Sequence, residues 1–167
     1  MVVPSIQGSP MSLYLSGGFS DPNGQLASSM KAGFYGVAKA GFKIDTRTEF
    51  LVGADFHKFS VDNNKYPATN GNFRTLLVGF DIKMDLVSPT SKEPIVPFLI
   101  IGGGYANIDF TDTLTALPGA SDFKADSDSK NYIEFGGGFE LGQLFALIRF
   151  IDIFKQEDDA RFLSAGI

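Results

Sequence analysis

From Phe73 to Leu86 apolar and polar residues alternate almost without a break. Leu76, Val78, Phe80, Ile82, Met84 and Leu86 fall on one side, and Thr75, Gly79, Asp81, Lys83 and Asp85 on the other. Side chains of an extended chain point to opposite faces in turn, whereas an amphipathic helix needs its apolar residues three and four apart. The run is therefore a long β-strand with one apolar and one polar face. The same period recurs elsewhere. Gly33 to Asp45 sets Phe34, Gly36, Ala38, Ala40, Phe42 and Ile44 against Tyr35, Val37, Lys39, Gly41 and Lys43. Glu49 to Val61 sets Phe50, Val52, Ala54 and Phe56 against Glu49, Leu51, Gly53, Asp55 and His57. Weaker alternation marks Ser12 to Ser20, Val96 to Phe110 and Asn131 to Leu141. Leu144 to Phe154 is apolar on both faces around Arg149, and Arg161 to Ile167 is short. In Val96 to Phe110 the pattern assigns Phe98, Ile100, Ile108 and Phe110 to the apolar face and Tyr105, Asn107 and Asp109 to the polar one. In Asn131 to Leu141 it opposes Ile133, Phe135, Phe139 and Leu141 to Tyr132, Glu134 and Glu140.

About eight strands result, an even number that suits an up-and-down antiparallel barrel. The connections alternate in length. Asp45-Thr46-Arg47-Thr48 and Gly142-Gln143 are tight. Asp21 to Met30, Asp62 to Asn72 and Thr111 to Lys130 are long, and Val87 to Ile95, with Pro89 and Pro94, is intermediate, as is the Gln156-Glu157-Asp158-Asp159 connection. Short turns at one end and long loops at the other are the asymmetry of outer-membrane barrels. The 19 glycines and 17 phenylalanines among 167 residues also disfavour helix and favour strand. No linker or second domain stands out, so residues 1–167 are expected to form a single β-barrel domain, with helix confined to loops.

Alternation leaves open which face points outward: a soluble lipid-binding barrel buries its apolar face, and a membrane barrel exposes it. Three features favour the membrane arrangement. The strands run about 10 to 15 residues, against roughly 5–6 in soluble sheets and roughly 9–11 needed to span a bilayer. The polar faces mix glycine with both signs of charge, which fits a crowded lumen better than a solvated exterior. Aromatic residues recur near the ends of the apolar faces, as interfacial girdles require. On this reading Phe34, Phe42, Phe50, Val52, Phe56, Val78, Phe80, Ile82, Phe98, Ile100, Phe135 and Phe139 face lipid. Lys39, Lys43, Asp55, His57, Asp81, Lys83, Glu134, Glu140 and Arg149 form a charge network in the lumen. Pairing Leu141 with Leu144 across the Gly142-Gln143 turn sets Gly136 opposite Arg149 and leaves Glu134 diagonal to it, within reach of a long side chain.

The net charge of −5 opposes a nucleic-acid partner, which needs a basic footprint. The absence of cysteine removes thiolate metal sites, disulfides and thiol redox chemistry. The opening Met1-Val2-Val3-Pro4-Ser5-Ile6-Gln7-Gly8 has neither a basic n-region nor a sustained apolar stretch. A mature form with an added initiator Met is preferred to a cytoplasmic protein. No apolar run of the length of a membrane-spanning helix occurs.

Gly17-Gly18-Phe19-Ser20-Asp21-Pro22-Asn23-Gly24 followed by Lys31-Ala32-Gly33-Phe34 resembles the opening of the small outer-membrane β-barrel proteins. Pro97 to Ala106, with Gly102-Gly103-Gly104, is similar to their fifth strand. Phe135-Gly136-Gly137-Gly138-Phe139-Glu140-Leu141 is similar to the sixth, and Ser164-Ala165-Gly166-Ile167 to the last. The resemblance implies an eight-stranded barrel in the outer membrane of a Gram-negative-type cell. The chain departs from it in having Ile167 where such barrels commonly end in Phe, and in the length of Val87 to Ile95.

Catalytic signals are weak, and neither an enzyme nor a cofactor is expected. His57 is the only histidine. Ser60, three residues on, points to the opposite face, and the nearest polar neighbour on its own face is Asp55, its expected partner. The triple glycines precede no helix, so they are not phosphate loops. Asp109, Asp112, Asp122, Asp126 and Asp128 make an acidic stretch without the glycine and closing Glu of an EF-hand, read as a solvated loop. Glu134 and Glu140 are roughly 20 Å apart along one strand, too far for paired acid–base work. Three functions remain: a structural or surface-interaction barrel whose partners are outer-membrane lipid and, through the long loops, an extracellular molecule; a passive transporter of small or hydrophobic molecules; or, with the faces inverted, a soluble lipid-binding barrel. The packed interior expected of eight strands favours the first.

Overall fold

The computed structural model describes residues 11–24, 26–62, 64, 71–87, 95–110, 129–154 and 160–167. They form eight strands: β1 (Met11–Asn23), β2 (Met30–Lys43), β3 (Thr48–Val61), β4 (Asn72–Asp85), β5 (Val96–Phe110), β6 (Ser129–Leu141), β7 (Leu144–Ile153) and β8 (Ala160–Gly166). One short helix, α1 (Leu26–Ser29), lies in the connection between β1 and β2. Each strand pairs antiparallel with the next, and β8 returns to β1 to close the ring. The chain is thus an antiparallel eight-stranded closed barrel. Met1 to Gly8, the acidic positions Asp112 to Asp128, Pro89 and Pro94, and the Gln156 to Asp159 connection fall outside the described residues.

The tight turns follow from their residues. Between β2 and β3 the Asp45 carboxylate accepts the backbone N–H groups of Arg47 at 2.7 Å and Thr48 at 2.8 Å. These bonds, that of Arg47 first, hold its pKa below the ordinary carboxylate value. Between β6 and β7 the chain reverses at Gly142, whose φ of 62° is the left-handed conformation that two-residue hairpins demand.

Directly paired residues share a face, so the registers fix what points inward. Tyr35, Lys39, Asp55, Asp81, Glu134 and Arg149 are buried, while Phe19, Phe34, Phe56, Val78, Phe80, Ile101, Phe135 and Phe139 are exposed on the outer wall. Phe80 is 52% exposed, as no soluble core residue would be. Phe42, Val52 and Ile82 are exposed on the same wall, and Phe50 is half-buried beside Phe80 with ring centroids 5.8 Å apart.

One strand corrects the sequence reading. Phe98 and Ile100, expected on the outer wall, are 3% and 5% exposed and point into the barrel. Ile108 is buried too, whereas Tyr105, Asn107 and Asp109 face out. Pro97-Phe98-Leu99-Ile100-Ile101 is apolar on both faces, so alternation within it carries no phase. The register decides: Ile100 pairs with Lys83 and Phe98 with Asp85, both on the inner face of β4.

Inside, two apolar clusters sandwich a charged layer. Phe59, Phe73, Leu77, Ile151, Ile153 and Phe162 pack toward the long connections, where Leu26 of α1 and Met30 join them. Leu51, Phe98, Ile100 and Leu147 pack toward the short turns. The wall is uneven. β8 reaches along β1 only from Asn23 to Gly18 in register, with Ile167 bonded to Gly17 through both backbone groups. Leu13 and Leu15 have no strand on that side among the described residues. On the lumen side of this notch the rings of Tyr14 and Phe145 meet edge to face, centroids 5.8 Å apart.

Candidate functional site: the charged layer of the lumen

The densest polar chemistry lies at mid-barrel. Lys39 on β2, Asp55 on β3, Asp81 on β4, Glu134 on β6 and Arg149 on β7 each alternate onto the inner face and converge there. Lys39 Nζ donates to Asp81 Oδ2 at 2.6 Å and Glu134 Oε1 at 2.7 Å, and lies 3.4 Å from Asp55 Oδ1. Arg149 Nη1 donates to Glu134 Oε2 at 2.7 Å and to Asp55 Oδ2. Its guanidinium carbon also sits 5.3 Å from the centre of the Tyr35 ring. Glu134 therefore bridges both cations. The Leu141–Leu144 pair sets Gly136 opposite Arg149, leaving Glu134 on the diagonal.

Glycine makes room for this layer. A Cβ on Gly102 would collide with Asp81 Oδ1, and one on Gly136 with the backbone carbonyl of Ile148 and, at 3.0 Å, with Cγ of Arg149. The glycines of the fifth and sixth strands thus let large charged side chains lie flat across a narrow interior.

The remaining sequence candidates divide. Lys83 pairs with Asp85 at 2.5 Å and Glu140 at 3.0 Å, apart from the central cluster and nearer the short turns. There Tyr14 Oη donates to Glu49 Oε2 at 2.5 Å. These groups, with Lys43, Arg47 and Gln143, line a vestibule of about 220 Å³. Lys43 is exposed at its mouth and does not enter the central network. A smaller cavity between Tyr14, Leu51, Phe98, Ile100, Phe145 and Arg149 has about 30 Å³.

His57 is fully buried but does not pair with Asp55. Its Nδ1 shares a 2.9 Å hydrogen bond with Ser20 Oγ, which lies 2.6 Å from Ser164 Oγ. The ring stacks on Tyr35 and packs against Phe59 and Phe162. The expectation of an Asp55 partner fails because it considered one strand. Ser20 and Ser164 arrive from β1 and β8, which meet only when the barrel closes. Tyr14 and Glu49 likewise come from different strands, β1 and β3 on either side of β2, which no spacing along the chain would have joined. Although Ser20 and His57 are hydrogen-bonded, no carboxylate reaches Nε2 among the described residues and the pair is sealed from solvent, so the geometry serves packing. No group of three His, Asp or Glu side chains suited to a metal ion occurs among the described residues.

No protein-family model matches the chain. No curated protein matches it in sequence. Solved structures do. Neisserial surface protein A shares the fold with a TM-score of 0.61 at 16% identity, over 95% of this chain and 94% of that one. Ail, the attachment invasion locus protein of Yersinia pestis, does so with a TM-score of 0.50 at 12% identity, over 95% and 96%. The chain has the fold of the small eight-stranded outer-membrane barrels, as the glycine and aromatic motifs implied.

Proposed function

We propose that the chain is an outer-membrane β-barrel, seated in the outer membrane of a bacterium, with an anchoring or surface-interaction role and a lumen closed to solutes. The observation that carries this reading is the charged layer. Two cations and three carboxylates fill mid-barrel, and apolar clusters lie above and below them. An ion entering would have to displace a network in which each cation already contacts two or more carboxylates. The apolar outer wall supplies the lipid contact, and the long connections, gathered at one end, supply the surface through which an extracellular partner would be met. No catalytic role is assigned to any residue.

The passive-transporter reading has one observation in its favour, the notch beside Leu13 and Leu15. Behind it the Tyr14–Phe145 contact blocks the way, and the cavity there is about the size of one water. The test is conductance in planar bilayers. The unmodified barrel is expected to give no steady current. A large and steady ion current would refute the closed lumen and favour transport.

A further inference from the structure

On the outer wall, at the end of the barrel with the long connections, two cations stand side by side, neither of them in an ion pair among the described residues. Lys58 on β3 and Arg74 on β4 are directly paired across the ladder. Each lies two residues from an outward apolar side chain, Phe56 and Leu76, so both project from the same wall. Neither forms a hydrogen bond or an ion pair among the described residues. Lys58 Nζ only overhangs the Phe34 ring, 6.0 Å from its centre. Lys31, on the same end, is already matched by Asp62 at 3.4 Å. Asp109 faces Arg74 from β5 on the side away from Lys58, without an ion pair joining them.

Like charges directly opposite on a sheet destabilise it, so the arrangement calls for an anion held between them. The wall around it says which kind. Phe19, Phe34 and Phe56 form an exposed aromatic group just below, the girdle that marks a membrane–water boundary. Two strand residues raise Lys58 by roughly 7 Å above Phe56, from the apolar band to headgroup level. Ser60 and Asn72, the next pair on the same face, are polar, and Ser60 Oγ donates to Asn72 Oδ1 at 3.2 Å.

We infer that Lys58 and Arg74 form a binding site for the phosphate of an outer-leaflet lipid headgroup, with Phe34 and Phe56 against its upper acyl segments. Arg offers a paired-donor face to phosphate and Lys a mobile charge. The inference rests on the outer-membrane reading, and its test separates the two. The barrel is first inserted into phosphatidylcholine vesicles, with protease protection as the readout. It is then inserted into the same vesicles doped with bisphosphorylated lipid A, or with that lipid stripped of phosphate. Native mass spectrometry reads the lipid retained on the released barrel.

Preferential retention of the phosphorylated lipid is expected, falling at least about tenfold in Lys58→Gln/Arg74→Gln, since charge-assisted bonds are lost. Lys31→Gln should retain it. Equal retention of the stripped lipid, or an equal loss in Lys31→Gln, would overturn the site while leaving the membrane reading intact. Displacement of the lipid by comparable concentrations of inorganic phosphate would assign a site for a soluble anion instead. Failure to insert into any vesicle would overturn both.

Discussion

Replacing Arg149 by Met removes the cation that Asp55 and Glu134 share while keeping a long unbranched side chain over Gly136. At about 4 Å between charge centres and an effective dielectric near 20, each of its two contacts contributes about 4 kcal/mol of attraction, most of it offset by the desolvation of the three groups. What remains after truncation is two buried carboxylates leaning on Lys39 alone, together with Asp81. Breaking a buried pair in this way costs about 3–5 kcal/mol, a large share of a stability of about 5–15 kcal/mol. Glu134→Gln should cost a comparable amount, because Glu134 bridges both cations. The double substitution should cost less than the sum, with a coupling of about 1–3 kcal/mol. The measurement is reversible urea unfolding in phospholipid vesicles, followed by far-UV circular dichroism, on the four proteins of the cycle. Additivity within about 0.5 kcal/mol would show that the two side chains do not depend on one another, and the charged layer could not then be what holds the lumen shut.

Three further outcomes are expected. Phe80→Arg should lower stability in vesicles by about 2–4 kcal/mol, the cost of a cation near the bilayer midplane, and a spin label at Phe80 or Ile82 should report collisions with oxygen rather than with a water-soluble relaxer; the reverse would place this wall in water. Gly102→Ala should destabilise by about 1–3 kcal/mol because the added methyl meets Asp81, and unchanged urea midpoints would mean that the layer is looser than its distances indicate. His57→Phe should leave the barrel folded with stability changed by less than about 1.5 kcal/mol, since it keeps the ring against Tyr35 and Phe162 and removes a buried nitrogen without a partner; a failure to fold would assign the Ser20–His57–Ser164 chain a larger structural share.

The fold was legible because period-2 alternation needs no long-range information. Phe73 to Leu86 carries its inner and outer faces in its own order of residues, and so do Gly33 to Asp45 and Glu49 to Val61. Val96 to Phe110 does not, since Phe98 and Leu99, then Ile100 and Ile101, are equally apolar on both sides. Only pairing with Lys83 and Asp85 sets its phase. The lumen was partly legible for the same reason. A charged residue on the polar face of a strand points inward, but what it meets there depends on strands far apart in sequence. Arg149 and Glu134 could be joined through one tight turn. Lys39 with Glu134 required the closed ring, while His57 with Ser20 and Tyr14 with Glu49 required β1 and β3 to reach each other over β2.

That ring sets the order in which the molecule can be made. Ser20 and Ser164 are 144 positions apart and touch across the seam between the first and last strands. Each hairpin can form early from neighbours in sequence, but the seam needs both ends of the barrel at once, and contacts of such long range slow folding. Before closure, Lys39 and Arg149 would each sit on the second strand from an edge of an open sheet, Lys39 beside Asp55 and Arg149 beside Glu134, each out of reach of the other's acid. An open sheet carrying those charges is a poor guest for hydrocarbon, where free strand edges are not tolerated. Insertion and closure are therefore bound into one slow event. Partly zipped forms should be scarce, and the seam should be the last part of the wall to gain protection from hydrogen exchange.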